Sequence, residues 1–435
     1  MYLPCDKETI QKHIVKHIEY DLARTRFSMD NSVWYQAVAK SVRDRLIEAG
    51  NDTRKVFLAS GNKRVYYFSL EYLPGRSLKN ALVNLDLEQN YREALDDLGE
   101  NLEELYEEEQ DPGIGNGGLG RLASCFLDSA ATHNLPVWGY GLRYNYGIFK
   151  QKIVDGAQCE VPDYWLMEGF PWEVRRSDVV HKVQFYGKVV REQQDGKEKV
   201  RWEEGEIVNA LAYDLLIPGF NTFNTITLRL WGSMPTKEFD FELFNVGDYY
   251  ESVKAKQRAE FITSVLYPND STVKGKKLRL AQEYFFVSAS LQDLLWRFRV
   301  VNKDWDELPN QIAIQLNDTH PALGIVELLR ILVDEEDFEM DHAWELVTKV
   351  FSYTNHTVLP EALEKWSEDL FQEVLPRHLE LIHLLNHKFL EQVRAKFPND
   401  LDKVSAMSII EETTPKMVSM PHLVRLENNS NIHNL

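Results

Sequence analysis

The run Gly113-Ile114-Gly115-Asn116-Gly117-Gly118-Leu119-Gly120-Arg121 gathers backbone amides with few side chains to cover them. Behind it Leu119, Leu122, Phe126, Leu127 and Ala130 recur at helical spacing, which puts the glycines on a first turn whose N–H groups lack intrahelical partners. At the positive end of a helix dipole, such amides cradle a phosphate or a developing negative charge, and Arg121 stands by as a possible partner. A glycine-rich entry that only lets two backbones pass is the competing reading. Two other segments hold polar groups suited to a polyhydroxylated ligand: Asn317-Asp318-Thr319-His320-Pro321 and Thr354-Asn355-His356-Thr357. Helix capping would account for Asp318 or Thr319 ahead of Pro321, but not for both histidines. In Ser69-Leu70-Glu71-Tyr72-Leu73-Pro74-Gly75-Arg76, Glu71 and Arg76 come to one edge, to serve a ligand or to pair with each other. Tyr267-Pro268-Asn269-Asp270-Ser271-Thr272-Val273-Lys274-Gly275 is a polar loop between helices, a gate over a cleft or a solvated turn.

Gly113, Gly115 and Gly118 also satisfy G-x-G-x-x-G, yet a dinucleotide fingerprint follows a strand. Here the preceding Leu102-Glu103-Glu104-Leu105-Tyr106-Glu107-Glu108-Glu109 reads as an acidic helix. No Gly-Lys-Ser/Thr ending makes the run a P-loop, and no zinc spacing, Ser-His-Asp order or covalent nucleophile stands out.

The elements that must position these groups alternate. Residues 7–50 carry two amphipathic helical patterns with Asp30 and Asn31 as capping candidates between them. Runs at 65–70, 136–144, 311–316 and 349–353 read as strands, the last two each followed by a helix, which implies a parallel α/β core. Between about 180 and 232 the pattern becomes alternating strands, an antiparallel insertion. Ligands of such sheets collect beyond the carboxyl ends of the strands, where Asp318 and His356 fall.

The 435 residues contain no linker-like tract, so one large domain with an N-terminal helical extension is expected. A formal charge of −19 repels nucleic acid and anionic membrane surfaces, and no apolar stretch is long enough to span a bilayer. Cys5, Cys125 and Cys159 are too scattered for a disulfide framework, and Cys125 is expected on the buried side of its helix. A soluble protein of a reducing, cytoplasmic compartment is the consistent expectation. Most tryptophans, Trp138, Trp165, Trp172 and Trp231 among them, are expected in the core rather than under sugar rings.

From about residue 10 to Leu423 the chain resembles the α-glucan (glycogen/starch) phosphorylase family. The carrying segments are 69–76, 115–128, 139–144, 147–149, 265–270, 278–285, 313–321 and 353–366. Residues 151–156 and 160–165 resemble its fungal branch most. The resemblance implies phosphorolysis of the terminal α-1,4 bond of glycogen or starch, with inorganic phosphate, to glucose 1-phosphate with retained configuration. It implies pyridoxal phosphate as cofactor, its phosphate relaying protons to the substrate phosphate, and a homodimer in the complete form. It implies a Rossmann-like first domain of a two-domain glycosyltransferase fold. By motif, Gly117, Gly118 and Leu119 would offer amides to phosphate and glucose, and Gly118 would touch the cofactor. Asp318 and His356 would line the glucose subsite, with the His356 carbonyl facing the oxocarbenium-like transition state. His320 and Glu71 would support the site, and Asn269, Asp270 and Ser271 would form the gate.

Departures from the pattern are local until the end of the chain. Ser271 stands where asparagine is common, and Leu73 where an aromatic can reach the cofactor. Trp296-Arg297 replaces the paired arginines that bind AMP in vertebrate members, which argues against AMP activation. His383 and His387 alter the helix 377–388, where some members store glucan. Past Leu423 the resemblance stops, before the second domain that would hold the cofactor lysine and the phosphate-clamping cations. The expected organisation is therefore an extension over 1–60, an incomplete glycosyltransferase domain over 61–423 and a divergent tail over 424–435. The expected behaviour is a phosphorylase chain inactive in isolation, the alternative being a noncatalytic glucan-binding or dimerisation module.

Overall fold

Apolar strand runs separated by amphipathic helices call for a sheet covered on both faces, and the computed structural model has one. It describes residues 3–25, 29–194, 196–236, 241–426 and 432–434. Helix α1 (Lys7–Lys16) starts where Asp6 accepts from the Thr9 amide at 2.9 Å. Helix α2 (Asn31–Ser60) starts where Asp30 accepts from the Val33 amide at 3.0 Å. It runs past the expected end near residue 50 and stops at Gly61, whose φ of +61° terminates a helix without steric cost.

Strand β1 (Arg64–Phe68) leads through short helices to α3 (Leu102–Glu108), the glycine run, α4 (Gly118–Thr132) and β2 (Val137–Leu142). Strands β3 (Val174–Phe185), β4 (Glu206–Pro218) and β5 (Thr225–Pro235) follow, then the long helix α5 (Val273–Val301). The rest of the frame is β6 (Ile312–Asn317), α6 (Leu323–Arg330), β7 (Phe351–Asn355), α7 (Pro376–Lys396) and β8 (Ile432–Asn434). The main sheet of the described residues has eight strands in the order β8-β7-β6-β1-β2-β5-β4-β3. From β8 to β5 all neighbours are parallel, and β4 and β3 continue antiparallel. Phe68 lies opposite both Leu316 and Tyr140, which fixes the exits of β1, β6 and β2 at one edge.

The expected antiparallel insertion is thus a continuation of the main sheet. Its alternation misleads because the polar residues of β5, Thr225, Thr227 and Arg229, are buried like the apolar ones between them. One face of the sheet packs Tyr67, Leu228 and Leu230 against α2 and α4. The other packs Tyr66, Phe68, Tyr140 and Trp231 against α5 and α6. Of the tryptophans named above, Trp165, Trp172 and Trp231 are buried and Trp138 is packed against the core.

Helix α4 corrects the phase read from its leucines. Its buried stripe is Gly120, Ala123, Ser124, Leu127, Ala130 and Ala131, while Phe126 and Cys125 are exposed. Small residues let the helix lie so close to the sheet that a Cβ on Gly139 of β2 would meet Leu127 Cδ1 at 2.9 Å. Of the tail expected over 424–435, residues 427–431 and 435 lie outside those described. No helix of the described residues is long and apolar enough to cross a membrane.

Candidate active site

The glycine run divides into two parts with different jobs. At Gly115 an added Cβ would collide with the Tyr72 carbonyl oxygen, and at Gly120 it would meet Glu71 Oε2 at 3.0 Å. These glycines admit the chain leaving β1, which is laced to the run by Tyr72 N–H to Ile114 O and Leu73 N–H to Gly120 O, both 2.9 Å. At Gly117 and Gly118 an added Cβ would meet nothing within 4 Å. The Asn116 and Gly117 amides donate to Glu71 Oε2 at 2.8 and 3.2 Å, so a carboxylate of the chain itself occupies that part of the helix entry. The Gly118 and Leu119 amides have no hydrogen-bond partner among the described residues and form the open part of the cradle. Arg121 is turned away, donating to the Leu73 and Pro74 carbonyls.

Glu71 also joins the other strand ends. Its Oε1 accepts from Tyr267 Oη at 2.8 Å, and its backbone carbonyl accepts from Ser69 Oγ at 2.8 Å. Asn317 Nδ2 donates to Ser69 Oγ at 3.0 Å, and His356 Nε2 meets Asn317 Oδ1 at 2.6 Å. Because the amide's N–H faces Ser69, its oxygen faces the imidazole, which must carry its proton on Nε2 and keep Nδ1 as an acceptor. Burial holds the His356 pKa below the usual histidine value, partly opposed by Asp318. The two histidine segments and the glycine run are therefore tied into one network through Asn317, Ser69 and Glu71. Glu71 and Arg76 do not pair; Arg76 binds Glu107 at 3.1 Å.

Asp318 leaves β6 with φ +66° and accepts from Thr319 N at 2.7 Å and from Thr357 Oγ1 at 3.3 Å. His320 is buried with no hydrogen-bond partner for Nδ1, its ring 5.6 Å from that of Tyr267. Tyr267 itself adopts φ +51°, uncommon for an aromatic residue, so strained backbone occurs on both sides of this contact. Asn269, Asp270 and Ser271 are exposed, Asn269 Oδ1 receiving the Ser271 amide at 3.0 Å and Asp270 receiving Arg279 at 2.9 Å. Asn317 and Tyr267 lie in segments that the sequence offers for the site, but Arg279, Glu283 and Glu364 were not singled out from sequence.

Comparisons with known proteins supply the family. A model of the carbohydrate phosphorylase family matches residues 95–430. The chain belongs to the carbohydrate phosphorylase family. Glycogen phosphorylase 2 of Dictyostelium discoideum is 53% identical over 423 residues, 97% of this chain and 43% of the relative. Glycogen phosphorylase of Saccharomyces cerevisiae is 52% identical over 425 residues, covering 94% and 47%. The human brain form is 46% identical over 426 residues, covering 96% and 50%. This phosphorylase chain spans about half the length of the curated relatives it matches. These relatives place it in a family of hexosyltransferases of glycogen metabolism.

Two more motif positions take a structural setting. Arg297 is held by Asp293 at 3.1 Å and lies 3.9 Å from the Trp138 ring centroid, while neighbouring Trp296 is 62% exposed. On α7, His383 pairs with Glu368 and His387 with Glu391.

Proposed function

We propose that this chain supplies the sugar-facing wall of an α-glucan phosphorylase site, where inorganic phosphate cleaves a terminal α-1,4 bond to release glucose 1-phosphate. The supporting observation is the open pair of amides at Gly118 and Leu119, joined through Glu71, Ser69 and Asn317 to the His356 imidazole. The amides hold an anion by hydrogen bonds and the helix dipole. His356 Nδ1 accepts from a sugar hydroxyl, and the Asp318 carboxylate accepts from another. The His356 carbonyl, by the family's pattern, faces positive charge developing at the anomeric carbon. Asn269, Asp270 and Ser271 lie on the loop that opens and closes over the sugar.

Glycogen phosphorylases generally depend on pyridoxal phosphate. When bound, that cofactor supplies a phosphate that exchanges protons with the substrate phosphate. The open amides fit a phosphate group. The nearby cations are already committed, Arg121 to backbone carbonyls and Arg279 to Asp270, and no lysine is among the residues joined in this network. The Gly118 and Leu119 amides face the substrate phosphate, Gly118 would touch the cofactor beside it, and none of the residues joined here would anchor it. The proposal includes a homodimer, a cytoplasmic location, and no turnover by these residues alone.

The test is to titrate the labelled chain with phosphate and with glucose 1-phosphate while following amide resonances. Selective shifts at Gly118, Leu119 and His356 are expected; their absence at saturating ligand would remove the reading. Incubation with glycogen, phosphate and pyridoxal phosphate is expected to release no glucose 1-phosphate, and clear release would refute the inactivity. Glycogen retention on co-sedimentation without any phosphate-induced shifts would favour a glucan-binding module instead.

A further inference from the structure

Helix α5 brings Glu283 behind the loop 267–272 with its side chain 0% exposed. Neither carboxyl oxygen of Glu283 has a hydrogen-bond donor among the described residues, and neither does Oε1 of Glu364, although both Oε1 atoms lie against the same guanidinium. The nearest cation, Arg279, stands 3.7 Å from Glu283 Oε1 and 3.5 Å from Glu364 Oε1, yet its direct hydrogen bond goes to Asp270. The other oxygen of Glu364 accepts from Thr319 Oγ1 at 3.0 Å. Also facing Glu283 are Asp318, beyond β6, and the buried phenol of Tyr144, beyond β2. Fully ionised, the buried carboxylates of Glu283 and Glu364 and the exposed one of Asp270 would set three negative charges against one guanidinium. Two buried carboxyl groups that crowd one guanidinium without a donor for either are relieved by one proton held in common.

We propose that Glu283 and Glu364 share a single proton between their facing oxygens, and that this proton leaves Arg279 on Asp270 and so positions the loop 267–272 against Glu71. Glu283 is then a positioning residue: it touches no substrate group and acts through Arg279 and Glu364. Loss of the proton draws the Arg279 guanidinium from Asp270 toward the carboxyl pair, and the loop loses its tether. Burial and the neighbouring Glu364 raise the Glu283 pKa well above the usual carboxylate value, in keeping with this arrangement. The device does not depend on which sugar or anion the site takes.

The sign of its pH dependence follows from linkage. A carboxyl whose folded pKa is raised stabilises the fold fully below its unfolded pKa and loses that contribution as pH rises through the folded value. The variant Glu283→Gln keeps the shape and a permanent donor. The folding constant of the wild-type chain relative to Glu283→Gln is therefore expected to fall with rising pH above the ordinary carboxylate range, by up to about tenfold per pH unit. Over the same range, hydrogen exchange in 267–272 should accelerate in the wild type beyond the chemical rate increase and not in Glu283→Gln. The infrared band of a protonated carboxyl at neutral pH should disappear in the variant. Parallel stability curves for the two proteins would overturn the proposal, and so would a variant that loses no protonated-carboxyl band. None of these measurements uses glucan or phosphate, so failure here is separable from failure of the functional reading.

Discussion

Helix α5 carries two buried carboxylates with opposite fates. Asp293, 1% exposed, receives Arg229 at 2.8 Å, Arg297 at 3.1 Å and the Tyr140 hydroxyl. Its pKa lies far below the usual range because the two guanidinium charges outweigh the cost of burial. Glu283, three turns earlier and equally buried, has no donor, and its pKa moves the other way. The helix and its depth are the same; only the partners differ. Both oxygens of Asp293 are bonded, whereas beside the candidate site polar atoms of Glu283, Glu364 and His320 have no partner among the described residues. Unsatisfied burial of this kind costs stability, and it persists where function uses it.

The largest effect should come from breaking the completed side. Asp293→Ala strands Arg229 and Arg297 in a closed environment, and loss of one partner of a buried pair costs ~3–5 kcal/mol. Urea unfolding should show this as a lowered midpoint at unchanged slope. A loss under ~1 kcal/mol would mean that Arg229, still held by Asp214 at 2.7 Å, keeps the cluster intact without Asp293, and the contrast with Glu283 would weaken accordingly.

A smaller pair of effects sharpens the same contrast inside the glycine run. Gly115→Ala pushes a methyl into the Tyr72 carbonyl and should cost ~1–3 kcal/mol, since backbone must move to admit it. Gly118→Ala meets nothing within 4 Å, so stability should stay within about 0.5 kcal/mol. Its methyl stands in the open cradle, however, and phosphate-induced shifts at Leu119 should diminish. Thermal unfolding and the amide titration read the two properties separately. Equal destabilisation by both substitutions would erase the division of the run into a packing part and a binding part.

Much of this was legible before any coordinates. The helix entry at Gly117, the strand ends holding Asp318 and His356 and the cap at Asp30 follow from local spacing, which the chain obeys wherever backbone hydrogen bonding decides. What was misjudged depends on partners distant in sequence. Arg229 looks like the outward face of an amphipathic strand until Asp214 and Asp293 meet it, and Cys125 looks buried until the small-residue stripe of α4 turns the helix. The occupant of the Asn116 and Gly117 amides was hidden for the same reason: Glu71 lies 45 residues before Asn116. Periodicity locates a cradle but cannot say what already sits in part of it.

The smallest predicted effect tests whether His356 belongs to the completed or the uncompleted class. Its Nε2 is bonded to Asn317, its ring is only half-buried, and burial holds its pKa below that of an unfolded histidine. On acidification the unfolded chain therefore takes up this proton first, so stability falls as pH drops below the unfolded value of about 6.5 and levels off below the folded value. His356→Gln retains a donor for Asn317 and removes the titration, so the wild-type chain should lose slightly more stability than the variant across that window. The difference is modest because solvent reaches part of the ring, and His378, fully buried and shifted in the same direction, contributes equally to both proteins and cancels. A wild-type chain that instead gains on the variant as pH falls would mean that the imidazole is held charged by Asp318. It would then lack the neutral Nδ1 acceptor on which recognition of a sugar hydroxyl rests.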